Sequence, residues 1–471
     1  MKSLLNEIKN RVISEYGETE FFDVTDNMSL VYEREITYNT LDGQERKIVK
    51  IWTKAIQAAL DEYKDVYIPN IGNDIYLDES LIMRSDYKLK VHKKQKLIMT
   101  PFASVALVRN ENLISGADKS VTLDNPDCNI VIEGGIWDSF ESDRRVDNGN
   151  WMLYADKEKS IQGAWGIMIF SNVRDIIIKD CTMTNAASYA VEISNAEGIY
   201  VSDIEFLNYR KDGIHVNGPV KYGIIRNLSG VNMGDDMVAL NAWDWDMSAM
   251  CFGPIEKIIV ENIEGNHNEF RLLPGRKRYS NTSYVDCDIR DCVIRNISGV
   301  YTFKLYAQPQ FLKREDYSEI VGNIANVYFD KIHFPEIQKT GLADFLPVDG
   351  LFDVCADTDN IHLDNIKIDY SVEDFKGIDM SVIKVGPLSG TWKGKSDNPD
   401  DWQEVFSPDD ICTMKDTYIG EICFTDRSAV ESDGELIVKA TRQYINEDYP
   451  NTTPRGGTGY GMIENVIFNR A

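Results

Sequence analysis

A recurring apolar pattern, apolar-x-apolar-x-x-apolar-x-apolar, constrains this chain more than any other feature. It runs through Ile176, Ile178, Cys181 and Met183, then through Ile199, Val201, Ile204 and Phe206. It returns at Ile258, Val260 and Ile263, at Cys292, Ile294 and Ile297, and at Val327, Phe329, Ile332 and Phe334. The last copies are Ile361, Leu363, Ile366 and Ile368, then Ile463, Val466 and Phe468. Alternation at every second residue marks a strand, and the extra residue in the middle marks a bend. The third apolar position falls at 181, 204, 228, 263, 297, 332 and 366, in steps of 23, 24, 35, 34, 35 and 34. Such a period means stacked units, each burying its apolar face on its neighbours. A four-stranded propeller blade takes roughly 40 residues, so the shorter steps exclude one. The longer steps read as the same coil with an inserted loop. The prediction is an all-β chain folded as a solenoid, a single-stranded right-handed parallel β-helix.

Around the repeat, residues 1–48 read as an N-terminal extension and 49–471 as one β-helix domain. A capping helix is expected at about 49–64, because Trp52, Ala55, Ile56, Ala59, Leu60 and Tyr63 share one helical face. It would close the open end of the solenoid, where strand edges are otherwise unpaired. The stretch 386–410, rich in Gly, Pro, Ser and Asp, breaks the period and reads as a surface insertion.

Composition narrows the partners. Fifty basic against 76 acidic residues give a formal charge of −26, which argues against nucleic acid and anionic membranes as partners. Charges interrupt Met1–Tyr16, which lacks the apolar centre of a signal peptide, so the expectation is a cytoplasmic chain, or a secreted one whose leader has been removed. Eight cysteines without a CxxC pair and five histidines predict neither a metal site nor a cofactor. Cys181 and Cys292 occupy core positions of the repeat. Asn227, Asn281 and Asn296 lie in Asn-x-Ser sequons but read as turn residues of the coil.

Counting from the third apolar position locates the chemistry. Eight residues on, the chain has Tyr189, Asp212, Asp236 and Arg271; seven on, it has Ser188, Lys211, Asp235, Phe270 and Lys304. Asp212 and Asp236 are therefore expected on adjacent strands, about 4.8 Å apart, with Asp235 beside them. Three carboxylates that close repel unless a proton or a cation is shared, a cost that points to function. Crowding would keep one carboxyl protonated and leave another ionised, which supplies the acid and base that glycoside hydrolysis needs. His215 sits next to Asp212, placed to contact sugar, to hold Asp212 or simply to face solvent, and Glu192 occupies the equivalent place one coil earlier. Arg271, Arg276 and Lys304 supply positive charge suited to a substrate carboxylate, and Trp243 an indole suited to a sugar face.

These motifs resemble the polygalacturonase-type glycoside hydrolases of family 28. Lys211-Asp212-Gly213-Ile214 stands where that family has Asn-Thr-Asp-Gly, and Gly234-Asp235-Asp236-Met237-Val238-Ala239-Leu240 is similar to its Asp-Asp-Cys-Ile-Ala-Ile strand. Thr53–Ala59, Val66–Pro69 and Asn129–Gly135 resemble the family's first helix, first strand and first full coil. The resemblance implies that Asp235 is the general acid, that Asp212 and Asp236 together activate water, that the anomeric centre is inverted, and that the substrate is a pectic poly- or oligosaccharide. Two departures fall on substrate-binding positions. The family's Gly-His-Gly is absent, with Phe270 at the histidine's place, and its Arg-Ile-Lys is reduced to Thr302-Phe303-Lys304. A polysaccharide lyase or epimerase, and a non-catalytic glycan-binding β-helix, are the competing expectations on the same fold.

Overall fold

The computed structural model describes residues 1–40, 42–103, 105–114, 122–140, 166–186, 188–231, 234–244, 250–275, 285–307, 310–311, 320–338, 348, 350–386, 391–393, 403–405, 411–441 and 461–468. The chain forms two compact units. One comprises Leu5–Met237 and Asp246–Phe252; the other comprises Met1–Leu4, Val238–Trp245 and Gly253–Ala471.

In the first unit the strands Asp127–Asp138, Met168–Thr184, Val191–Leu207 and Ile214–Val231 stack in parallel, in chain order. The register follows the repeat: Cys181 pairs with Ile204, and Ile204 with Leu228. The apolar positions of these copies, from Ile176 to Phe206, are all buried. One residue before each of those positions the backbone turns through the left-handed region, at Asp180 (φ 58°), Asp203 (φ 55°) and Asn227 (φ 54°). Asn and Asp tolerate that conformation better than other side-chain-bearing residues. The Asn227 amide also donates to Asp203 Oδ1 at 2.9 Å, so the bends are tied from coil to coil.

The helix expected at about 49–64 spans Thr53–Tyr63 and buries Ala55, Ile56, Ala59 and Leu60. Tyr63 departs from that face: it is 45% exposed and stacks on Phe22 with ring centroids 3.9 Å apart. The segment before it holds structure that periodicity did not reveal. Tyr32–Thr40 and Gly43–Ile51 form an antiparallel hairpin whose Ile36, Tyr38, Val49 and Ile51 pack with Tyr76, Ile98 and Phe140. A helix, Lys2–Arg11, ends in Arg11, which forms ion pairs of 2.8 Å with both Asp175 and Glu197 on successive coils.

The second unit repeats the plan. Ile255–Leu273, Ile289–Tyr306, Ile324–Phe334 and Thr358–Ile368 stack in parallel, with Ile263, Ile297, Ile332 and Ile366 in line. Asn296 turns with φ 54° and donates to Asn262 Oδ1 at 2.7 Å. Asn227 and Asn296 are thus bend residues of the coil, as their place in the repeat predicts; Asn281 lies outside the described residues. In the interior, Phe270, Phe303 and Phe352 lie in register, with Phe329 and Phe334 packed edge-on against Phe303. Of the expected insertion at 386–410, residue 386 and two short antiparallel strands, Thr391–Lys393 and Gln403–Val405, are described, and the rest lies outside the described residues. Among the described residues no helix is long and apolar enough to cross a membrane.

Candidate active site

The three aspartates meet in the first unit. The Ala190 amide donates to the Asp212 carbonyl at 2.9 Å, and the Gly213 amide to the Asp236 carbonyl at 2.9 Å. Tyr189, Asp212 and Asp236 are therefore stacked on consecutive coils. The Asp235 amide reaches the Lys211 carbonyl at 3.1 Å. This close approach explains the glycine of Gly234-Asp235-Asp236: a Cβ at 234 would overlap the Lys211 carbonyl oxygen and the Tyr209 ring. Asp212, Asp235 and Asp236 are 3%, 6% and 0% exposed, and one oxygen from each lies within 4.8 Å of the others. Such a set can share a proton, and it is also of a size that could hold a divalent cation.

The carboxylate of Asp212 is held from two sides. Its Oδ1 accepts from the Asp236 amide at 3.4 Å, and its Oδ2 lies 2.5 Å from His215 Nδ1. His215 is buried, stacked on Tyr189 with centroids 3.8 Å apart and planes 8° from parallel. Its Nε2 faces Asn217 Nδ2 at 3.1 Å. Of the three placements the sequence allowed, the buried His215 takes the one beside the Asp212 carboxylate and not the one facing solvent. Glu192 pairs with His215 across the coil, as the register predicts; it is 0% exposed and accepts from the Gly166 amide at 2.8 Å.

The remaining candidates lie in the second unit. Trp243 is 2% exposed, so its indole offers almost no face to solvent. Arg276 lies outside the described residues. Arg271 and Lys304 are adjacent in register and share one carboxylate: Glu269, 0% exposed, lies 3.1 Å from Arg271 Nη2 and 2.8 Å from Lys304 Nζ, and accepts from the Tyr301 hydroxyl. Counting along the sequence set Phe270 beside Lys304, and here the count fails. An irregularity between Glu264 and Asn268 shifts the register, so Phe270 pairs with Phe303 inside the core and Arg271 with Lys304 outside it. Constant offsets from a single origin cannot see a bulge.

Sequence reasoning assigned no role to Asn217, Tyr189 or Glu269. Asn217 and Glu269 each lie two residues from a candidate on the same strand face, His215 and Arg271, and period-two counting from those residues would have found both.

Stacked parallel coils with a carboxylate cluster at the start of a strand define the class: a right-handed parallel β-helix with a polygalacturonase-like fold. The particular likenesses come from solved structures. A hyperthermoactive exopolygalacturonase from Thermotoga maritima is similar at a TM-score of 0.54 and 13% identity, over 99% of this chain and 96% of that one. The family 28 exopolygalacturonase of Yersinia enterocolitica is similar at a TM-score of 0.46 and 11% identity, over 94% and 84%. The tailspike protein of E. coli bacteriophage HK620 is similar at a TM-score of 0.50 and 11% identity, over 89% of this chain and 62% of the tailspike. No family model matches the sequence, and no curated protein matches it.

Proposed function

We propose that this chain is a glycoside hydrolase that cleaves a pectic-type, uronate-containing poly- or oligosaccharide. The observation that carries the reading is the burial together of three aspartates from two coils. In an isolated surface turn they would have no reason to share so small a space. Asp235 is the general acid that protonates the leaving oxygen, and Asp212 with Asp236 orients and deprotonates water. An enzyme of the same fold, the Thermotoga maritima exopolygalacturonase, supports the substrate class.

The carboxylate spacing sharpens the test. Inverting pairs stand about 6.5–9.5 Å apart and retaining pairs about 5–5.5 Å. The nearest oxygens here lie within 4.8 Å. That spacing includes Asp235 and is shorter than either class of pair, and NMR of the first-formed anomer separates inversion from retention. Oligogalacturonates and aryl glycosides, followed by reducing-end release, test the activity itself. Asp236→Asn should lower kcat by about 10²–10⁴ while glycan binding persists. Unchanged turnover in that variant would remove Asp236 from the mechanism. The cation-sized oxygen set favours one other reading, a lyase. An unsaturated, ultraviolet-absorbing product whose formation stops with chelator would replace hydrolysis by elimination.

A further inference from the structure

The hydrogen bonds around His215 fix which of its nitrogens carries the proton. The Met250 backbone amide lies 3.3 Å from Asn217 Oδ1, and a backbone N–H can only donate. The Asn217 carbonyl oxygen therefore faces Met250, and its NH2 group faces His215 Nε2 at 3.1 Å. An amide NH2 donates and does not accept, so Nε2 must be the bare, accepting nitrogen. The proton then resides on Nδ1, 2.5 Å from Asp212 Oδ2. A doubly protonated ring would set two donors against each other at Asn217.

We propose that His215 is a positioning residue: a neutral imidazole, locked as the Nδ1–H form by Asn217, that donates to Asp212 and holds it as a hydrogen-bond acceptor. This rests on the hydrolase reading of the aspartate cluster and deepens it. Asp212 receives one donor from the Asp236 amide and a second from His215, so both of its oxygens are held as acceptors. Tyr189, stacked flat on the imidazole, holds the ring in the plane that this bond needs. Asn217, His215 and Asp212 thus form a chain in which a backbone amide far along the sequence, at Met250, sets the state of a carboxylate.

Nitrogen-15 NMR of the free, full-length protein tests the assignment without any substrate. The His215 signals should show a protonated Nδ1 and an unprotonated Nε2, and Asn217→Asp should put protons on both. A wild-type ring protonated at Nε2 would overturn the proposal. Turnover supplies the second test. His215→Phe should lower kcat about 10- to 100-fold, the weight of a hydrogen bond to a charged group, with little change in KM. His215→Asn, whose NH2 can donate from nearly the same place, should recover part of that loss. Equal kcat in wild type and His215→Phe would also overturn the positioning role. If no glycan is turned over by the wild type, the hydrolase reading fails while the NMR result still decides the tautomer.

Discussion

Phe303 offers the sharpest test of how the second unit holds together. The ring is fully buried, with centroids 5.1 Å from Phe270, 5.0 Å from Phe352, 5.4 Å from Phe329 and 6.0 Å from Phe334. Truncating a buried phenylalanine to alanine costs about 3–5 kcal/mol in lost transfer energy and cavity. Aromatic pairs add about 0.5–1.5 kcal/mol each beyond burial, so four of them place Phe303→Ala at the upper end, about 5 kcal/mol. Stacked coils open locally, so the readout should be local too. Amide hydrogen exchange along Ile289–Tyr306 should accelerate about a thousandfold or more, since each 1.4 kcal/mol is roughly a factor of ten. Phe303→Leu, which refills most of the volume, should recover the larger part of that protection. Acceleration below about tenfold in the alanine variant would mean that neighbouring rings collapse into the space, and would refute specific packing as the source of this unit's order.

Three other perturbations have defined outcomes. Glu269→Gln removes the carboxylate shared by Lys304 and Arg271; losing one side of a buried pair costs about 3–5 kcal/mol in urea unfolding, and adding Lys304→Met should restore most of it. Burial pushes the Cys181 and Cys292 thiols up to about 12, so iodoacetamide at mildly alkaline pH should modify the partly exposed Cys128 and Cys423 first, as read by peptide mass spectrometry. The Arg427 guanidinium hydrogen-bonds Asp433 and lowers its carboxyl to about 2. A depressed folded value means that this carboxylate's stabilising contribution is complete above the ordinary value near 3.8 and is lost as pH falls through about 2. Carbon-13 titration of Asp433 checks it, and Arg427→Ala should return the midpoint toward the ordinary range.

The fold was legible because core positions recur at a fixed offset from a bend. Ile204, Leu228, Ile297, Ile332 and Ile366 could be counted into line, and the same count brought Asp212 beside Asp236. Counting fails where the chain departs from its period. The irregularity after Glu264 turned Phe270 inward and placed Arg271, not Phe270, beside Lys304. The hairpin Tyr32–Ile51 lies outside the repeat, and its alternation is too weakly apolar on the outer face to declare itself. Partnerships were less legible than positions. That His215 belongs to Asp212 was open to inference from three residues' separation, whereas Asn217's bond to Met250 spans 33 residues and follows from no local pattern.

The left-handed bends carry a consequence for assembly. Sliding any coil by a single residue would force a branched aliphatic such as Ile204 or Ile297 into a backbone shape it resists, and would bury the amide or carboxylate beside it. Each layer thus carries its own alignment mark. A stack aligned in this way can tolerate loops of differing length between layers, as the unequal steps show, without losing count.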